Sequence, residues 1–431
     1  MIGRGQVDSI LKYQAIGFDM DHTFVRYKLR HFTRHVFEAM AIFLTNQKKY
    51  PQEIFPMSDE EAVNTFRFFF RAVYDHKSGN LVKIGENGLI MRAFHGFRRL
   101  SNQEIIARYG KNPVIPGYHI LAHRSPDFTN LHEFYGSAVV PLLARIVDLK
   151  AKGDLFLADK SFHQIILDLF DAFEFNYAVD DINKFEKHEY SGYFFPKFLS
   201  QPRHYVNKCS PEILCALRKL KEKGVLVFLA SNSYFQVAEI LLKESIGENW
   251  HEFFSFVIFN CKKPGFFEPE KKDTPFLKLD GTPVQDFGAW LKTEKTGRDK
   301  VLLKGHADAF NKYLESEHGK DFKVLFFGDT IVSDCVYSFD KATEQNWNCV
   351  LILEELQELE HGIDARDCFE YWKVWGSALQ DKNIYSGVDN TIIFNFADNM
   401  AHRTFSLMES KECATFLTIK DSDTPPPPII N

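Results

Sequence analysis

In the stretch Ala15-Ile16-Gly17-Phe18-Asp19-Met20-Asp21-His22-Thr23, four small or apolar residues run without polar alternation into two carboxylates spaced by one residue. Such a run reads as a strand buried on both faces, as in a parallel sheet covered by helices. Two later runs stop in the same way, Val225–Ala230 ahead of Ser231 and Val324–Phe327 ahead of Gly328-Asp329. Helix-like stretches, Pro211–Lys223 and His306–Gly319, precede them, and Gly224 stands where the first would end. Phe253–Phe259 and Asn348–Leu353 read as further strands of the same sheet. The alternation predicts an α/β fold with a doubly wound, mostly parallel sheet, whose ligands bind beyond the carboxyl ends of the strands. Asp19, Ser231 and Asp329 are therefore expected to converge.

About 200 residues separate the first run from the second, too many for one crossover connection. The expected organisation is a discontinuous core of residues 1–30 and 201–431, with residues 31–200 inserted as a large, mainly helical cap. Helical spacing is read over His35–Leu44, Ser137–Lys150 and Phe162–Phe175, and Glu268–Thr296 reads as a long surface excursion. Residues 424–431 carry four consecutive prolines and are expected to form an extended tail.

At 431 residues the chain exceeds what one hydrophobic core usually serves, and its 45% hydrophobic and 26% charged content is that of a globular protein. A formal charge of -6, from 52 basic and 58 acidic side chains, leaves no global basic footprint for nucleic acid. The 43 Phe predict thick aromatic packing or a partner surface. No window approaches the roughly 18 uninterrupted apolar residues of a membrane span, and Met1 to Asp19 shows no signal-peptide pattern. Seven cysteines without a CxxC pair suggest neither a disulfide framework nor a zinc site, and the expected location is cytoplasmic. A homo-oligomer is left open.

A carboxylate fixed at a strand end, as Asp19 would be, can attack phosphorus and form an acyl phosphate. Asp21 can then protonate the leaving oxygen and deprotonate the attacking water. Two carboxylates this close to each other and to a phosphate need a retained proton or a cation. Ser231 and Asn232 place a hydroxyl and consecutive backbone N–H groups where phosphate oxygens could be held. Lys263 can neutralise charge shared by Asp19 and a phosphoryl group. Asp329 and Asp334 add hard oxygen ligands of the kind that suit Mg²⁺.

The ordered set Asp19/Asp21, Ser231, Lys263 and Asp329/Asp334 resembles the four motifs of haloacid dehalogenase superfamily phosphatases. Phe18-Asp19-Met20-Asp21-His22-Thr23, Ala93-Phe94-His95-Gly96-Phe97, Lys263-Pro264-Gly265-Phe266-Phe267 and Val350-Leu351-Ile352-Leu353-Glu354-Glu355-Leu356 resemble the cytosolic purine 5′-nucleotidases within it. That resemblance implies a haloacid dehalogenase-like core with an inserted cap, and a magnesium-dependent hydrolase of phosphomonoesters, in particular nucleoside 5′-monophosphates. It also implies a metal held by the Asp19 carboxylate, the Asp21 backbone carbonyl and Asp329, with Asp334 in support.

Substrate selection departs from the family. Where characterised purine nucleotidases present an Arg, an Asp and a His-Tyr pair from a cap helix, the best matching over Ser161–Tyr177 places Leu167, Asp171 and Glu174-Phe175. Loss of the Arg and His removes donors that a purine carbonyl needs. Asp171 and Phe97, the latter able to stack on a ring, remain the candidate substrate contacts. Rival readings are a nucleotidase-like scaffold with weak or no turnover, a phosphatase of a non-purine phosphomonoester, and phosphotransfer to an alcohol.

Overall fold

The computed structural model describes residues 12–68, 71–84, 89–115, 118, 125–177, 192–340 and 346–352. The Leu353-Glu354-Glu355-Leu356 part of the last motif, the end of the Asn348–Leu353 run and the proline tail lie outside them. The described residues divide into two compact units, one holding those up to Lys28 and those from Pro202 to Ile352, the other those within Leu29–Gln201.

The first unit is built on seven described strands: β1 (Ala15–Phe18), β2 (Leu226–Ala230), β3 (Phe256–Phe259), β4 (Phe276–Lys278), β5 (Val301–Lys304), β6 (Val324–Gly328) and β7 (Trp347–Leu351). Their spatial order is β7-β6-β1-β2-β3-β5-β4. All pairs are parallel except β5 with β4, which is antiparallel. Strand order reverses at β1, with β2 on one side and β6 on the other, the topological switch point at which ligands of open α/β sheets bind. Register carries this to single residues. Phe18 stands opposite both Phe327 and Leu229, so Asp19 follows at the level where β2 and β6 run into Ser231 and Asp329.

Helices Pro211–Glu222, Phe235–Ser245 and Ala307–His318 are the connections of this sheet. Ser210 caps the first of them, accepting from the Ile213 N–H at 3.3 Å. Many of the phenylalanines are spent on this core. Phe228 stacks on Phe256 with ring centroids 5.2 Å apart and meets Phe310 edge to face at 5.1 Å. Glycine at position 17 follows from that packing, because a Cβ there would stand 2.2 Å from the Phe228 ring. The stretch Glu268–Thr296, read from sequence as a surface excursion, contributes β4 as an antiparallel edge strand and the helix Phe287–Lys292. β4 and β5 went unread because three or four residues that end in a lysine give too short a pattern.

The second unit has the expected helices, among them Leu29–Lys48, Val140–Ala151 and Phe162–Tyr177. It also holds a five-stranded antiparallel sheet that sequence patterning did not place, in the order Arg98–Arg99, Ile90–His95, Asn80–Ile84, Ala72–Asp75, Phe128–Leu131. Its strands bury Asp75, Asn80, Lys83, Arg92, Thr129 and Asn130 alongside Val73, Val82 and Phe128. Polar residues on buried faces erase the two-residue alternation by which a strand is recognised. Phe32, Phe134, Phe194 and Phe198 form an aromatic cluster in this unit, with Phe194 and Phe198 stacked at 4.7 Å. None of the described helices is long and apolar enough to cross a membrane.

Candidate active site

Asp19 ends β1 with its N–H donated to the Phe327 carbonyl at 2.7 Å, which ties the carboxylate-bearing residue to the neighbouring strand. Ser231 ends β2 and is anchored through its N–H to the Ile258 carbonyl at 2.9 Å. Lys263, on the segment after β3, is buried, and its Nζ donates to Asp19 Oδ1 at 2.7 Å and to Asp334 Oδ1 at 2.5 Å. The same ammonium lies 5.2 Å from the centroid of the Phe326 ring, an added cation–π contact. The sheet edge thus brings together residues that the sequence places up to hundreds of positions apart.

Asp334 reaches the cluster because the chain after β6 coils into a single π-helical turn, Ile331–Val336. Its second oxygen accepts from the Thr330 N–H at 3.0 Å. Gly328 makes room for it, since a Cβ there would lie 2.3 Å from Asp334 Cβ. Asp329 accepts from the Thr330 hydroxyl at 3.4 Å.

Electrostatics at this edge are unbalanced in one direction. Burial pushes the Asp19 carboxyl up to about 7; Lys263 opposes the shift, and the negative charges of Asp334 and Asp21 add to it. For Lys263 burial works against the ammonium, and the attraction of Asp19 and Asp334 outweighs it, so its pKa lies above the ordinary value. One carboxylate oxygen from each of the buried Asp19, Asp329 and Asp334 lies within 4.8 Å of the others. That spacing is near the roughly 4 Å between opposite ligands of an ion bound at about 2.0–2.1 Å. Three buried carboxylates against one lysine leave a negative excess that a divalent cation would cancel, so donor type, spacing and charge all fit a metal ion.

Asp21 sits differently from Asp19. It is partly exposed, and both its oxygens are engaged: Oδ1 accepts from the Tyr27 hydroxyl and Oδ2 from the Ser233 hydroxyl at 2.5 Å. Neither donor was singled out from sequence. Tyr27 lies six residues beyond Asp21 in an irregular segment, and Ser233 is the third residue of a turn whose first residue, Ser231, is read from sequence as a contact to phosphate. Asn232, expected at the substrate, has its side-chain amide committed to Lys263: Oδ1 accepts from the Lys263 N–H at 2.6 Å and Nδ2 donates to the Lys263 carbonyl at 2.9 Å.

The candidate substrate residues of the inserted unit are placed as follows. Asp171 is exposed on the helix Phe162–Tyr177 and paired with Lys48, while Leu167 is half-buried and Glu174 exposed. Phe97 is half-buried, edge to face with Phe68 at 4.7 Å. Its turn is backed by Asp148, which accepts from the Phe97 N–H and fills the space a Cβ of Gly96 would need.

A mostly parallel α/β sheet whose switch point gathers an aspartate pair, a buried lysine and an acidic loop that could hold a metal belongs to the haloacid dehalogenase-like phosphohydrolases. Within that class the chain belongs to the 5′ nucleotidase family, whose sequence model matches residues 9–403. It is similar to 5′-nucleotidase domain-containing protein 1 of Homo sapiens, with 29% identity over 356 residues, 81% of this chain and 73% of the relative. The Bos taurus protein of that name is 27% identical over 403 residues, covering 89% and 84%. More distantly, 5′-nucleotidase domain-containing protein 2 of Homo sapiens is 23% identical over 376 residues, covering 86% and 66%.

Proposed function

We propose that the protein is a Mg²⁺-dependent phosphomonoester hydrolase acting on nucleoside 5′-monophosphates through an aspartyl phosphate on Asp19. The observation that carries this reading is the Lys263 bridge between Asp19 and Asp334 at the sheet edge that also presents Asp329 and Ser231. An Asp19 oxygen attacks phosphorus, the bond to the leaving oxygen breaks with its electron pair, and Asp21 delivers a proton to that oxygen. Water then attacks the phosphorus, Asp21 takes its proton, and the electron pair of the breaking P–O bond returns to the Asp19 carboxylate. Lys263 and the Ser231 hydroxyl hold phosphoryl oxygens as charge builds on them. The Asp19 carboxylate, the Asp21 backbone carbonyl and Asp329 are assigned as ligands of the cation, with Asp334 orienting Lys263 beside them. When bound, that cation supplies charge compensation and polarises phosphoryl oxygen.

Purine selectivity is not part of the assignment. Leu167 and Glu174 bring no cationic donor, and Asp171 is paired with Lys48, which favours a second reading as phosphatase of a non-purine phosphomonoester. The inserted unit, residues 31–200 in the proposed division, is assigned the choice of substrate. The test is phosphate release by purified protein from nucleoside monophosphates, sugar phosphates and an aryl phosphate, with Mg²⁺ and after chelation. Release that requires Mg²⁺ and is lost in Asp19→Asn is expected. Undiminished release by Asp19→Asn would discard the nucleophile, and no release from any ester would favour the scaffold reading.

A further inference from the structure

We propose that Tyr27 is a positioning residue for the acid–base carboxylate, holding Asp21 so that a carboxyl position left open by its hydrogen bonds carries the proton toward the leaving oxygen; the proposal rests on the hydrolase reading above. Tyr27 is fully buried, and its phenol donates to Asp21 Oδ1. Its place is fixed without any help from Asp21. The Tyr27 carbonyl accepts from Asn207 Nδ2 at 3.1 Å, Tyr27 pairs antiparallel with Val206, and flanking bonds join Lys28 N–H to the Tyr205 carbonyl at 2.7 Å and Asn207 N–H to the Arg26 carbonyl at 2.8 Å. The ring also packs on His22, with centroids 4.5 Å apart.

Ser233, the donor to Asp21 Oδ2, is equally tied down. Its N–H is held by Ser231 Oγ at 3.1 Å and its carbonyl accepts from the Asn260 N–H at 3.0 Å. Two hydroxyls from separately anchored segments therefore occupy one lone pair on each oxygen of Asp21, which stops the carboxyl group from rotating.

Because the acid matters only when the departing oxygen needs a proton, the test compares leaving groups. The ratio kcat/KM reports the half-reaction in which Asp19 is phosphorylated. Tyr27→Phe is expected to lower kcat/KM for a nucleoside monophosphate by about 10- to 100-fold, a part of the roughly 100- to 10,000-fold that general acid catalysis contributes, and for nitrophenyl phosphate by less than about threefold. Equal losses on both esters, or no loss on either, would overturn the proposal. If Tyr27→Phe does not fold by circular dichroism, Ser233→Ala must show the same selectivity, and equal losses there would overturn it too. A wild-type protein that hydrolyses neither ester removes the reading beneath the proposal and the proposal with it, an outcome distinct from a uniform loss in the variant.

Discussion

Asn232 grips the backbone of Lys263 from both sides, accepting its N–H at 2.6 Å and donating to its carbonyl at 2.9 Å. The lysine whose ammonium joins Asp19 to Asp334 thus has its main chain fixed by a residue of a neighbouring strand-end loop. Pre-organisation of this kind is what lets a buried cation sit at one place as charge moves.

From that grip, Asn232→Ala should lower stability by about 1–3 kcal/mol, two hydrogen bonds at their usual net worth. Lys263 would then wander, and because a misplacement of about 1 Å can cost on the order of 100-fold, kcat should fall at least about tenfold. Thermal melting and phosphate release measure the two effects, and a variant with wild-type kcat would remove the positioning role.

At Gly328 the same geometry can be disturbed from below. An added Cβ would stand 2.3 Å from Asp334 Cβ and 2.6 Å from Asp334 Oδ2. Gly328→Ala is therefore expected to displace Asp334 from Lys263 at an overpacking cost of about 1–3 kcal/mol, with loss of most phosphate release. Full activity in this variant would mean that Asp334 need not stand where it does.

Metal dependence is expected to follow Asp329. Asp329→Asn should raise the Mg²⁺ concentration for half-maximal turnover by about 10- to 100-fold. It should also shrink the rise in melting temperature that Mg²⁺ gives the wild type, since a ion that binds only the folded state stabilises it. An unchanged midpoint in both titrations would dismiss Asp329 as a ligand.

The inserted unit should show its own pH signature through Asp168. This buried carboxylate accepts from the Tyr50 hydroxyl at 2.8 Å, Lys160 Nζ at 2.8 Å and Gln164 Nε2 at 3.2 Å. Burial acts to raise its pKa, and the bonds from Lys160 and Tyr50 outweigh it, so the value lies below the ordinary 3.8. A depressed folded pKa contributes stability above the unfolded value that is lost as pH falls through the folded one. Asp168→Asn should therefore cost about 1–3 kcal/mol at neutral pH and melt with a shallower decline on the acid side. An acid limb as steep as the wild type's would contradict it.

What the chain wrote locally was the set of candidate reacting groups. Ala15–Phe18, Val225–Ala230 and Val324–Phe327 are buried-strand patterns, and the residues that stop them, Asp19, Ser231 and Asp329, come to one edge because parallel strands end together. What only the tertiary structure decided was the company each group keeps. Lys263 meets Asp19 across 244 positions of sequence, Ser233 meets Asp21 across 212, and Lys48 meets Asp171 across 123. No local propensity or period specifies such pairs, because a hydrogen bond depends on where folding has carried its two ends. For the same reason Asn232 could be seen as a polar residue at a strand end but not as the clamp on Lys263, and Tyr27 could not be seen at all. The antiparallel sheet of the insertion stayed hidden for a related cause: its buried strands hold polar side chains that are satisfied only by partners brought from elsewhere in the fold, such as the Tyr109 hydroxyl on Asn80 Nδ2 at 2.8 Å.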